Sequence, residues 1–306
     1  MLFDNLYLNI VHKLFIIKLS IGERIFSVFN NVFLILVSFI SIYPLIYTAS
    51  MSLSTAAEAA RSGFHLYPRE ISLTAYKMVF ANDELYQAYG NTIMRAVVGT
   101  LGELIISSMF AYSMSRSDMP FKKPIMKIVT FTMIFGGGII PTYILINGLG
   151  LIDNRLVYIL PHLISAYNVI IIMNHFKSLP SNLVESAKLD GAREMTILFR
   201  IIIPLAKPVL ATVALWSSVG HWNMWMDGML YINDNSKQVL QILLQRIVNQ
   251  SQQSMEAGLT NVDIMSYATE TITSATIIVT ILPILLVYPF VQKYFVKGIM
   301  LGSIKG

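Results

Sequence analysis

Residues 155–176 read RLVYILPHLISAYNVIIIMNHF, and residues 177–204 continue KSLPSNLVESAKLDGAREMTILFRIIIP. The first stretch is apolar nearly throughout and matches the roughly 20 residues that a bilayer-crossing helix needs. The second is too charged to enter a bilayer and too regular to be a structureless loop. Apolar sequence resumes after Pro204. This order describes a chain that leaves a membrane, folds outside it and goes back in.

The same alternation extends in both directions. Apolar runs near 29–53, 90–115, 124–146, 155–176, 204–230 and 273–296 predict six spans. The fold class expected is therefore an all-α integral membrane protein of six transmembrane helices, with a helix–turn–helix between helices 4 and 5. It divides into an N-terminal segment (1–28), a transmembrane domain (29–299) and a short tail (300–306). Composition agrees: 55% of the residues are apolar and 13% are charged, against about a quarter charged in soluble domains. The runs are continuous rather than alternating, which argues against a β-barrel. Gly136-Gly137-Gly138, Pro141 and Pro161 interrupt the third and fourth runs, as membrane helices tolerate when neighbours satisfy the freed backbone groups. The run near 31–53 is too long, and too far behind a charged lead, for a cleaved signal peptide.

Charge sets the expected orientation. With both termini inside, fifteen of the 22 Lys and Arg residues fall on inner segments and their flanks, from Lys13, Lys18 and Arg24 to Lys293, Lys297 and Lys305. Positive residues resist translocation, so the termini are expected in the cytoplasm of a multi-pass plasma-membrane protein. The net charge of +5 is then a topology signal surrounded by lipid, and no nucleic-acid partner is expected. On the outer side, Leu240, Leu243, Leu244 and Ile247 recur at helical spacing and predict an amphipathic helix packed as a lid on the bundle. The polar stretch from Asn249 to Ser254 reads as a surface loop. There is no cysteine, which excludes disulfides, thiolate metal sites and cysteine nucleophiles.

Within 177–204, Ser181 is a candidate N-cap, and Leu183, Val184 and Ala187 share a helix face. Asp190-Gly191 ends that helix, glycine being suited to the positive φ of a tight turn. A second helix should carry Met195, Phe199 and Ile202 on one side, and Pro204 should open the next span. Ala187, Gly191 and Ala192 offer a small surface for close approach. The whole is a rigid knob on which a soluble partner can push.

Here the sequence resembles a family. The pattern Glu-Ala-Ala, three residues, Gly, nine residues, Ile, one residue, Leu-Pro marks permeases of binding-protein-dependent ATP-binding cassette importers. Glu185, Ala187, Gly191, Ile201 and Pro204 match it; Ser186 and Ile203 depart from it conservatively. NTIMRAVVGT (91–100), AYSMSR (111–116), GGGIIPTYILINGLGLIDN (136–154), ILPHLISAYNVIIIMNHF (159–176) and the ending QKYFVKGIMLGSIKG look like the carbohydrate-uptake branch. More narrowly, they are similar to the complex-oligosaccharide subgroup, related to the second permease of maltose-type systems. The resemblance runs from about residue 20 to the C-terminus.

It implies a type I importer permease fold and a non-enzymatic subunit. Expected partners are a second, different permease, two ATPase subunits that bind ATP and Mg, an extracytoplasmic sugar-binding lipoprotein, and an oligosaccharide. It further implies that Glu185, Ser186, Ala187, Asp190, Gly191, Ala192 and Pro204 couple this chain to the ATPase. No cofactor is expected in the chain itself, which has no G-x-x-x-x-G-K-[ST], no H-E-x-x-H and no nucleophile elbow. The alternatives are a permease for a non-sugar solute, a membrane enzyme, and a channel or scaffold; the last has no need of a structured cytoplasmic segment.

Candidate path residues are polar groups inside the spans. Glu103 sits near the middle of the second span, where an ionisable side chain is costly and faces a cavity or a partner. It either lines a path or makes an interhelical hydrogen bond to the partner permease. The fifth span carries Trp216, His221, Trp222, Asn223, Trp225 and Asp227. Trp222, Asn223, Trp225 and Asp227 suit a saccharide path, with aromatic faces to stack on rings and polar groups for hydroxyls; the competing account of the tryptophans is an interfacial belt. Trp216 lies a full helix face away from Trp225, so all three tryptophans cannot share one path.

Overall fold

The computed structural model describes residues 20–61, 63–256, 269–287 and 289. Most of the expected N-terminal segment, the end of the sixth span and the tail at 300–306 lie outside the described residues. Helices make up the architecture. The only β pairing among the described residues is an isolated bridge between Ser54 and Ile71.

Three helices are long and apolar enough to cross a membrane: α1 (Ile21–Ser52), α3 (Asp83–Ser115), and α12 (Thr269–Val287); a short α2 (Thr74–Phe80) precedes α3. Helix α1 begins eight residues before the apolar run does. A capping box explains the early start, because Ser20 Oγ accepts from Glu23 N at 3.3 Å while Glu23 Oε2 accepts from Ser20 N at 2.7 Å. Only Ser50, Met51 and Ser52, in its last turn, are buried. Helix α3 is the opposite case. Its 33 residues, about 50 Å at 1.5 Å each, form the axle of the bundle and bury a stripe that includes Asn91, Arg95, Gly99 and Glu103.

The other three expected spans correspond to bent pairs of helices. Helices α4 (Lys122–Ile134) and α5 (Ile139–Gly148) meet at 115°. Gly138 carries φ +87° at the corner, and Pro141 falls in the first turn of α5, where its missing N–H costs no helical bond. Two 3-10 turns over Arg155–His162 meet α6 (Ala166–Ser178) at 45°. Next come α7 (Asn182–Leu189) and α8 (Glu194–Leu205), then α9 (Lys207–Asn223), set at 83° to α8. Each pair counts as one span only if its bend lies within the membrane, so the described residues give three to six crossings.

Several local expectations change here. Pro204 lies inside α8, and the long helix of the fifth apolar run, α9, starts after the bend at Ala206. That span breaks again at Met224 and Trp225 before α10 (Met226–Tyr231). The polar stretch Asn249–Ser254 is helical, within α11 (Leu240–Glu256); glutamine is a good helix former, so polarity alone did not mark a loop. The lid itself forms as expected, with Leu240 and Leu243 buried and Ile247 packed beside them.

Close approach along α3 depends on glycine. A Cβ at Gly99 would lie 2.7 Å from the His221 ring, and one at Gly102 would lie 2.6 Å from Leu163 Cδ2. Gly99→Leu is expected to disrupt α3–α9 packing and lower the amount of protein in the membrane. Gly90→Ala, with nothing within 4 Å, should leave it unchanged. Membrane-fraction immunoblots of the two variants test this, and equal levels would rule it out.

Candidate functional site

At the end of the bundle that holds the C-terminus of α3, α7 and α8 form the predicted helix–turn–helix. Ser181 does not cap α7 with its side chain and already has helical backbone angles. The C-terminus is built as expected. Gly191 adopts φ +77°, Ala192 N donates to Ala187 O at 2.9 Å and Gly191 N to Lys188 O at 3.0 Å. This is the paired bonding of a Schellman motif, which only a residue at ease in the left-handed region closes without strain.

Residues 198–202 of α8 form a π turn. Met195 and Phe199 are exposed, whereas Ile197, Leu198 and Ile202 are buried. The wider turn displaces the buried face from the Met195–Phe199–Ile202 stripe that α spacing predicts. One polar contact ties the knob to α3, with Tyr112 donating its hydroxyl to Glu194. Glu194 also pairs with Lys188 at 2.6 Å, which holds α8 to α7 within the knob. The Lys188 ammonium, then the Tyr112 hydroxyl, hold the Glu194 carboxyl below its usual range.

Of the predicted coupling residues, Glu185, Ser186, Asp190 and Gly191 are exposed on the knob, and Ala192 is half-buried. Ala187 is buried against the bundle, so it does not contribute to a free surface. Pro204 is exposed at the far end of α8, away from the turn. Leu189, 89% exposed, joins Met195 and Phe199 as apolar side chains left uncovered by this chain.

The predicted path residues separate into three environments. Glu103 is buried, and its carboxylate accepts from Asn168 Nδ2 and from Ser217 Oγ. Asn168 Oδ1 in turn accepts from Trp216 Nε1 at 2.8 Å. This hydrogen-bonded chain ties α3, α6 and α9 together and forms one wall of a cleft of about 330 Å³, which Pro161, His162, Tyr167 and His221 also line. Trp222 is elsewhere, in the apolar core beside Tyr89, Leu240 and Leu243. Asn223 is exposed, and Trp225 is half-buried against the cluster around Tyr158 and Tyr231.

Asp227 is engaged by Arg95. The guanidinium, fully buried, forms a two-pronged pair with the carboxylate and also donates to Met224 O at 2.9 Å. Gly228 N donates to Asp227 Oδ1 at 2.9 Å, the His162 Nε2 lies 3.5 Å from Oδ2, and Arg95 Cζ sits 4.9 Å from the Tyr158 ring centre. Arg95 therefore binds the Met224 carbonyl, just past the end of α9, and the first turn of α10 at once, holding the break between them. Arg95, His162 and Asn168 went unmarked in the sequence because their partners lie 48 to 132 residues away.

A family model for the binding-protein-dependent transport system inner membrane component matches residues 19–301. The chain belongs to that family. Among its relatives, the polygalacturonan/rhamnogalacturonan transport system permease protein YtcP of Bacillus subtilis (strain 168) is 40% identical over 93% of this chain and 99% of its own. Protein LplC of the same organism is 41% identical over 92% and 96%. A permease chain from the crystal structure of a bacterial ABC transporter involved in the import of the acidic polysaccharide alginate superposes with a TM-score of 0.84. It is 34% identical and covers 91% of this chain and 99% of that one. Membership agrees with the resemblance, the helical fold and the membrane location expected of the sequence.

The Arg95–Asp227 pair gives a quantitative expectation. Asp227→Ala strands a buried cation, which costs about 3–5 kcal/mol in comparable sites, and should sharply reduce folded subunit. Arg95→Met with Asp227→Leu removes both charges and should recover much of the loss. Thermal inactivation in detergent measures it; a double variant no better than the single would refute the pairing as the cause.

Proposed function

We propose that this chain is one of two transmembrane subunits of an ATP-driven importer that takes up an oligosaccharide. The observation that carries this reading is near-complete, 40%-identical alignment with a permease named for polygalacturonan and rhamnogalacturonan transport. The alginate importer chain adds a second acidic polysaccharide at 34% identity and a closely similar fold. An oligosaccharide containing uronic acids is thus the substrate class these relatives favour.

In this reading a second permease completes the path, and a binding protein outside the membrane delivers the sugar. ATP and Mg bind to two separate ATPase subunits, since the sequence has no phosphate-binding loop of its own. The α7–α8 knob meets one ATPase through Glu185, Ser186, Asp190, Gly191 and Ala192, while Leu189, Met195 and Phe199 provide apolar area. Ala187 acts from behind by holding α7 on the bundle, and Pro204 by shaping the end of α8. Both termini and the knob lie in the cytoplasm, as the positive-residue bias supports; the segments around Lys237 and Phe64 then face outward, toward the binding protein. A carboxylate such as Glu103, held by two donors inside the bundle, serves the path wall.

Two experiments test this. Gly191→Asp leaves no steric conflict inside the chain, because nothing lies within 4 Å of a Cβ there; the left-handed backbone alone costs about 1–2 kcal/mol. The variant should insert normally and pair with the second permease, yet lose ATPase copurification or sugar-stimulated hydrolysis. Normal transport by a normally inserted variant would remove the knob from the mechanism. Uptake of labelled oligogalacturonides, alginate oligomers and neutral oligosaccharides by cells with and without the gene tests the substrate class. No difference for any sugar would sink it.

A further inference from the structure

Tyr167 is the second residue of α6, yet it is 54% exposed, on the rim of the Glu103–Asn168 cleft. Its ring centre lies 5.7 Å from that of Trp216, with the planes tilted by 43°. Two aromatic rings that were simply packing together would close on an offset stack or an edge-to-face contact. These are tilted between the two, and both residues line a cavity large enough for a small ligand. The polar edge of Trp216 is already tied to Asn168, so what it offers the cleft is its face.

The remaining chemistry of the cleft is specific in what it omits. The Glu103 carboxylate is satisfied by Asn168 and Ser217, and no Lys or Arg stands among the residues described as lining the cleft. Hydroxyl groups are present at Ser165 and Tyr167, and an imidazole at His162. Such a surface suits a ring with an apolar C–H face and a hydroxylated edge. It has no lysine or arginine to pair with a carboxylate among the lining residues.

We propose that Tyr167 and Trp216 form a stacking corner that receives one ring of the passing saccharide, recognising the ring rather than its charge, with Asn168 as the residue that positions Trp216. This rests on the saccharide-permease reading above and goes beyond it by replacing the tryptophans near residue 225 with this corner as the point of sugar contact.

The test uses the complete transporter in proteoliposomes, with short labelled oligogalacturonides and neutral oligosaccharides as probes. Tyr167→Phe keeps the ring and should hold the transport KM within about twofold. Tyr167→Leu keeps apolar bulk without a ring and should raise it about three- to tenfold, the range expected of an aromatic contact. The increase should be the same for any charged and neutral probes that the unmodified transporter carries. Asn168→Ala should give a smaller rise, and the amount of assembled transporter is measured for every variant, so that loss of the Glu103–Asn168 bond is told apart from loss of sugar contact. Because the natural chain has no cysteine, Tyr167→Cys gives an independent measurement: a transported sugar should slow its alkylation. Leu performing as well as Phe, or alkylation indifferent to transported sugar, overturns the corner while leaving the importer reading intact. An unmodified transporter that carries none of the probes overturns the saccharide reading and the corner with it.

Discussion

Inside a bilayer every backbone group must find its partner within the protein, and among the described residues only three unbroken helices are long and apolar enough to cross one. Each interruption exposes carbonyls or amides that water cannot serve. The hardest case is the break between α9 and α10, where Arg95 reaches across from α3 to take Met224 O and Asp227 together. A guanidinium is the one side chain whose planar fork can hold a carboxylate with two bonds and still donate elsewhere. The Tyr158 ring packs beside its flat face. The position of α9, and therefore of Trp216 and Ser217 along the cleft, depends on this connection.

The gross architecture could be read from the sequence because lipid imposes a strong compositional rule. Apolar runs, the glycine triplet at 136–138 and the charged segment at 177–204 each predicted a feature that the structure contains. The turn at Gly191 was equally legible, since a Schellman closure leaves a local signature. Angles were not. Nothing in Gly136-Gly137-Gly138 specifies 115° rather than a shallow kink, because the corner is set by what α4 and α5 pack against.

Side-chain partners were the other gap. Glu103 was singled out as a buried carboxylate in need of company, and it has that company within its own chain, from Asn168 and Ser217. Hydropathy cannot reveal such pairs because the members lie on different spans. Trp222 illustrates the reverse error. Membership of one predicted span grouped it with Trp225 and Asp227, but that span breaks at Met224, and Trp222 packs with the lid and α12. A periodicity argument holds only while the helix that defines the period continues.

The π turn at Leu198–Ile202 has a mechanical consequence. It holds one residue more than the α turn it replaces, and one residue of α-helix corresponds to about 100° of rotation. Migration of that extra residue along α8 would swivel one part of the helix against the other without breaking the chain's continuity of hydrogen bonds for more than a turn. The element between the knob and the fifth span is in this sense a ratchet pawl rather than a rod. If the knob couples as proposed, a load at Met195 and Phe199 would reach α9 as torque as well as thrust.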